Sequence, residues 1–299
     1  QKAAFYRQAG KAPGSLVNAK QLNGKELSFN NINDTNAALD LLQEFELPSV
    51  VACKHGNPCG VGSALDITNA WNKAFTADKV SIFGGIVVCN RELTELMALD
   101  MQNIFLEVIV APSYEKEALN ILCAKKNIRV LELPGITNQQ LDTAFEIKKV
   151  NGGMLVQTLD VPLYDEAVWK VVTETAPSKA EANDLKFAMR VVKHTKSNAI
   201  VLAKGGQTIA IGPGQVNRIW AARQCIEHAA ELIGADATKG AVLASDGFFP
   251  FSDVVEAASL AGISAIIQPG GSINDKKSVD KCDELGIAMI FTGMRHFKH

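Results

Sequence analysis

The stretch Ser49-Val50-Val51-Ala52-Cys53-Lys54-His55-Gly56-Asn57-Pro58-Cys59-Gly60 decides how this chain is read. A short apolar run, residues 49–53, reads as a strand. It ends at Lys54-His55, and the Gly and Pro residues that follow are expected to fix a turn. Strand ends are where α/β folds usually build sites. A similar passage occurs about half a chain later, where strand 199–203 runs into Lys204-Gly205-Gly206.

Outward from the first strand, Ala37, Ala38, Leu41, Leu42 and Phe45 recur at helical spacing after a cap-like Asn33-Asp34. After it come a helix through Ala70, Trp71, Ala74 and Phe75, a strand at 82–89, a helix at 92–101, a strand at 108–111, a helix at 115–125 and a strand at 128–132. The second half repeats the order. Gly212-Pro213-Gly214 precedes a helix through Ala222, Ile226 and Ala230. Then follow strand 242–245, helix 253–261, strand 265–267, helix 275–285 and strand 288–292. The alternation indicates a layered α/β protein, and the repeated order a duplicated unit. Residues 152–157 read as a strand after a turn, and Ala176-Pro177-Ser178 as a break before a helix through Leu185, Ala188 and Val191. The boundary between the units is placed at Asp165, giving 1–165 and 166–299.

Composition narrows the function. The chain has 299 residues, 47% of them hydrophobic, and a net charge of −2 with both signs interspersed. A strongly basic nucleic-acid surface is not expected, nor is a membrane span. The six cysteines are scattered and read as reduced and structural, as in a cytoplasmic protein.

Lys54-His55 pairs a group that holds oxyanions with one that exchanges protons near neutral pH. On its own it reads more readily as a surface loop without chemistry. His55 with Pro58-Cys59 invites a zinc reading, but the Glu and the second Cys of a zinc deaminase are absent. Asp246-Gly247-Phe248-Phe249-Pro250-Phe251-Ser252-Asp253 reads either as a core loop whose Asp253 caps the next helix or as an aromatic wall for a flat heterocycle. Gly212-Pro213-Gly214-Gln215 could aim backbone N–H groups at an anion. Arg218 lies in a helical first turn, where the dipole does not favour a cation, which points to a specific role.

Together the stretches 22–24, 31–38, 54–60, 81–85, 111–114, 193–198, 212–218, 245–253 and 292–299 resemble the C-terminal domain of the bifunctional AICAR transformylase/IMP cyclohydrolase family, in order and over essentially the whole chain. The resemblance implies two tandem cytidine-deaminase-like α/β/α subdomains without zinc. It implies transfer of a formyl group from 10-formyltetrahydrofolate to the 5-amino group of aminoimidazole carboxamide ribonucleotide (AICAR). Lys54 and His55 match the catalytic pair, and Asn198 a residue beside the reacting groups. Asn31, Gly84, Glu107, Arg295 and Phe297 match nucleotide-binding positions, with Glu107 where an Asp is expected. Arg218, Ile219, Phe248, Pro250, Phe251 and Asp253 match the folate side. Val192, Thr195, Ser197 and Asp246 lie where some relatives hold K+. A homodimer whose site draws on both subunits is also implied. Gln1 matches the end of an Arg-Tyr-Gly-x-Asn-Pro-His-Gln stretch whose Arg grips the nucleotide phosphate, and the cyclohydrolase domain is not expected within these residues. Two readings stay open: a working transformylase, and an impaired piece that folds, dimerises and binds ligand.

Overall fold

The computed structural model describes residues 2–7, 12–137, 145–161 and 166–299. The first half runs β1 (Lys20–Asn23), α1 (Phe29–Leu42), β2 (Ser49–Lys54), β3 (Asn57–Ser63), α2 (Ile67–Ala77), β4 (Gly85–Cys89), α3 (Glu95–Met101), β5 (Leu106–Ala111), α4 (Lys116–Cys123) and β6 (Arg129–Glu132). A hairpin of β7 (Phe145–Val150) and β8 (Gly153–Thr158) follows. The second half runs β9 (Lys170–Val171), α5 (Lys179–Lys193), β10 (Ile200–Ala203), β11 (Thr208–Gly212), α6 (Arg218–Leu232), β12 (Val242–Ser245), α7 (Asp253–Leu260), β13 (Ala265–Gln268), α8 (Asp275–Leu285) and β14 (Ala288–Phe291).

The two six-stranded sheets have one topology. The first is ordered β1-β6-β5-β4-β2-β3, and the second, read from its far edge, β9-β14-β13-β12-β10-β11. The central strands β4, β5 and β6 are parallel, as are β12, β13 and β14, while the outer pairs are antiparallel. Local detail repeats too. α1 and α5 both start with a Ser capping box, Ser28 with Asn31 and Ser178 with Glu181. Gly62, opposite Val50, and Gly212, opposite Ile200, both lie so close to the following helix that a Cβ would come within 2.3 Å of the carbonyl oxygens of Ala70 and Ala221.

Strand apolarity is continuous because both faces are covered. Along β2, Val51 and Cys53 face a core shared with α1 and α5, while Val50 and Ala52 face α2 and α3. Along β10, Val201 and Ala203 join the shared core and Ile200 and Leu202 pack with α6 and α7. In the shared core the Phe45 and Phe187 rings lie 5.5 Å apart. The halves also meet at their sheet edges. Val61 N donates to Thr208 Oγ1 (2.9 Å), and Ser63 N to Gly206 O (2.9 Å).

Several expectations need correction. Helix α1 is capped by Ser28, not Asn33-Asp34, which lie within it. Asn57-Pro58-Cys59-Gly60 is not turn but the start of β3. Pro58 is tolerated because β3 is an edge strand and the Pro58–Cys53 pair falls at a bulge. The structure adds the short edge strands β1, β9 and β11 and the hairpin strand β7 to the elements expected. Asp253 is the first residue of α7 rather than its cap, which is Ser252. The boundary placed at Asp165 falls outside the described residues. No helix among the described residues is long and apolar enough to cross a membrane.

A buried polar cluster ties the end of α1 to the end of α5. Glu44 accepts from Lys193 Nζ (2.7 Å) and is bonded to His194 Nε2 (2.8 Å). Burial pushes the His194 imidazole down to about 4, although its bond to Glu44 works the other way. Burial pushes the nearby Asp40 carboxyl up to about 6. Burial also works to raise Glu44, but the hydrogen bonds and charges of His194 and Lys193 outweigh it and hold that carboxyl below its ordinary value. The two large shifts act in opposite directions. His194, ordinarily 6.5, gives stability that is complete above that pH and is lost as pH falls toward 4. Asp40, ordinarily 3.8, gives stability that is complete below that pH and is lost as pH rises through 6. Between pH 6 and 4.5, therefore, His194→Gln should lose stability with acidification less steeply than the parent, and Asp40→Asn more steeply. Urea midpoints measured across that range check this; slopes in the reverse order would refute it.

Candidate functional site

The Lys54-His55 turn forms one wall of a pocket of about 170 Å³ lined by Ser28, Asn30, Asn31, Asp34, Cys53, Lys54, His55, Gly84, Gly85, Ile86 and Glu107. Each wall follows from local structure. Lys54 is the last residue of β2, and its Nζ donates to Phe83 O. His55, the next residue, is exposed and has φ 84°. A left-handed backbone at a residue with a Cβ stores strain, and such strain collects at functional turns. Gly84 has φ +68°, and a Cβ there would lie 3.3 Å from Lys54 Nζ, so glycine leaves the ammonium its place. Asn31, buried in the first turn of α1, donates to Glu107 Oε2 (2.8 Å) on β5. Arg129 lies 3.5 Å from the same oxygen and offsets its charge.

A second cluster is built on the loop that leads into β10 in the other half. Asn198 Nδ2 donates to Gln215 O (2.8 Å), and Asn198 Oδ1 accepts from Arg218 (2.7 Å). Arg218, 7% exposed, also donates to Ser245 Oγ (2.9 Å) and pairs with the fully buried Asp246. Asp246 in turn accepts from Ser197 Oγ and Ala199 N. A buried carboxylate this heavily bonded is what allows a cation in the first turn of α6.

Asn57 joins the two clusters. Its Oδ1 accepts from Lys196 N (3.1 Å), which ties the Lys54-His55 turn to the loop carrying Asn198. The C-terminal segment joins the second cluster: His296 N donates to Asp246 O (3.1 Å), and the Phe297 ring lies 3.1 Å from where a Gly247 Cβ would stand.

Five of the sequence-derived residues thus share the pocket: Asn31, Lys54, His55, Gly84 and Glu107. Asn198 and Arg218 are bonded to each other but do not line it. Arg295 lies over the Phe248 ring at 4.6 Å. Pro250 and Phe251 are exposed on the approach to α7, Asp253 begins it, and Ile219 is buried in α6. The aromatic wall is broken, because Phe249 is fully buried in the core. The Gly214 and Gln215 N–H groups are not aimed at an anion: they bond Lys196 O (2.7 Å) and Asn198 O (3.2 Å). Asp34 is a pocket residue that sequence reading assigned to a cap. The available signal was its spacing of three from Asn31, which puts both on one face of α1.

Comparison with known proteins matches residues 1–228 to the model of the AICARFT/IMPCHase bienzyme. The chain belongs to the AICARFT/IMPCHase family. It is 56% identical over 299 residues to the bifunctional purine biosynthesis protein PurH of Acetivibrio thermocellus, covering all of this chain and 57% of that protein. It is 56% identical to PurH of Ruminiclostridium cellulolyticum and 50% identical to PurH of Bacillus subtilis, with the same coverage. The chain therefore spans a little over half the length of these curated family members.

The strain at His55 can be measured. Both His55→Gly and His55→Ala delete the imidazole, but only alanine keeps a Cβ at a left-handed position. The glycine variant should be the more stable by about 1 kcal/mol. Urea denaturation compares them, and equal stability would show that the turn is relaxed.

Proposed function

We propose that this chain performs the formyl transfer of its family, moving the formyl group of 10-formyltetrahydrofolate to the 5-amino group of AICAR. The observation that carries this reading is the pocket itself. It puts the proposed catalytic pair, Lys54 and His55, beside three residues proposed for the nucleotide, Asn31, Gly84 and Glu107. The amides of Asn30 and Asn31 and the Glu107 carboxylate suit a ribonucleotide, whose hydroxyls and carboxamide both donate and accept hydrogen bonds.

The chemistry follows from the substrate. The 5-amino lone pair is delocalised toward the carboxamide, so the amine is a poor nucleophile and needs a base. His55 takes its proton as nitrogen attacks the formyl carbon. The new C–N bond gives a tetrahedral oxyanion, which the Lys54 ammonium stabilises. The bond from that carbon to the folate N10 then breaks, and the proton passes to N10. Asn198 orients the reacting groups.

In this reading the halves are deaminase-like units, residues 1–165 and 166–299, working without zinc. Burial pushes the Cys59 thiol up to about 12 and the thiol bonds Ala52 O, so it is not offered as a thiolate ligand. Val192, Thr195, Ser197 and Asp246, which offer oxygen donors, would be the residues to hold an alkali ion. It would brace the loop carrying Asn198, and no step passes through it.

The folate-side residues Phe248, Pro250, Phe251 and Asp253 do not line the pocket of their own chain, which supports a homodimer with shared sites. The β7–β8 hairpin supports it as well, since Phe145, Ile147, Met154, Leu155 and Val156 are all more than half exposed.

His55→Ala should lower the rate of formyl transfer roughly 10²- to 10⁴-fold with folding intact. A steady-state assay with AICAR and 10-formyltetrahydrofolate tests it. An unchanged rate makes His55 a bystander, and no turnover in the parent leaves the ligand-binding piece as the better reading. The double variant Ile147→Asp, Leu155→Glu should sediment as a monomer where the parent is a dimer. A variant that remains dimeric would remove the hairpin from the interface.

A further inference from the structure

We propose that Arg218 is a positioning residue that fixes which way the Asn198 carboxamide faces, rather than a folate contact. The inference rests on the formyl-transfer reading, in which Asn198 serves the reacting groups.

Both terminal nitrogens of the guanidinium are engaged within the protein. One terminal nitrogen, Nη1, reaches Ser245 Oγ (2.9 Å), Asp246 Oδ1 and, at 3.4 Å, Ala199 O. The other, Nη2, reaches Asn198 Oδ1 at 2.7 Å. The residue is 7% exposed. The head also lies flat against the chain: a Cβ on Gly247 would stand 2.5 Å from Nη2, a space only glycine leaves open.

Guanidinium carries donors and no acceptor, so the atom of Asn198 that meets it must be the oxygen. The other side of the amide meets the Gln215 carbonyl, an acceptor, so the nitrogen must face there. Backbone bonds in both directions between residues 198 and 215, at 3.1 and 3.2 Å, hold the two strands of this clamp in register. With one N–H on Gln215, Asn198 keeps a second N–H for a ligand acceptor, such as the developing formyl oxyanion or an unprotonated imidazole nitrogen. A carboxamide free to rotate would offer either edge. Lysine cannot replace this arrangement: its ammonium can meet Asp246 but lacks the planar fork that spans Asp246 and Asn198 together.

The test compares Arg218→Lys, Asn198→Ala and the double variant, with kcat and KM for both substrates, thermal melts, and ¹⁵N spectra of asparagine-labelled protein. The Asn198 side-chain pair is assigned by its loss in Asn198→Ala. Arg218→Lys keeps a charge for Asp246 and should melt near the parent. It should lower kcat roughly 10- to 100-fold, with KM for the formyl donor within about 3-fold. In the Asn198→Ala background the same change should leave kcat unaltered, and Arg218→Lys should collapse or shift the Asn198 amide pair. Multiplicative losses in the double variant, or a raised KM for the formyl donor at parental kcat, would overturn the inference. If the parent transfers no formyl group, the functional reading fails and the spectra decide alone: an Asn198 pair unmoved by Arg218→Lys overturns the positioning role, and a collapsed pair sustains the clamp.

Discussion

The seam between β3 and β11 is the constraint on which the rest of the molecule depends. Thr208, fully buried, accepts from Val61 N and donates to Val61 O (3.3 Å), while Ser63 N bonds Gly206 O. A one-residue slip would reverse the facing of every side chain on one sheet relative to the other. With the seam in register, the end of β2 meets the loop before β10, and the Asn57–Lys196 bond sets the Lys54-His55 turn beside Ser197-Asn198. A site built from the end of β2 and the loop before β10 needs both sheets in phase. The shared core of α1 and α5 holds the sheets together but does not dictate their phase, because apolar contacts are not directional.

Duplication then explains why the halves do different work at equivalent places. The β2–β3 turn keeps a cation and an imidazole on a strained, exposed backbone. Its counterpart after β10 reads Lys204-Gly205-Gly206, and there both glycine N–H groups bond Asp184 (2.8 and 2.9 Å). One turn presents side chains to a pocket, and the other is tied down by a carboxylate. The second half contributes instead through its buried Arg218–Asp246 pair. Such pairs add little net stability in an apolar core, but removing one partner leaves a charge stranded. Specificity of geometry is what this one provides.

Much of the fold was legible in the sequence. The strands of the sheet centres and the helices covering them announce themselves through apolar runs and helical spacing, and α8 (Asp275–Leu285) was placed to the residue. What escaped was structure without periodicity. β3 carries Pro58, Gly60 and Gly62, and its glycines are there for contact with α2 rather than for turning. Edge strands of two to five residues, such as β9 and β11, are too short to show alternation. At the site, Lys54 and His55 were visible because a strand ends on them. Asp34 and the role of Arg218 were not, since both depend on residues far along the chain: Asp34 shares a pocket with Glu107 only through the fold, and Arg218 meets Asp246 across 28 residues.

The most direct measurement follows the formyl carbon itself. With 10-[¹³C-formyl]tetrahydrofolate, AICAR and the purified protein, the NMR signal of the labelled carbon should move from the folate N10 to the 5-amino nitrogen of AICAR, at a rate set by the concentration of protein carrying an intact His55. A label that stays on the folate, or appears as free formate, would contradict the assignment of the Lys54-His55 pocket to formyl transfer.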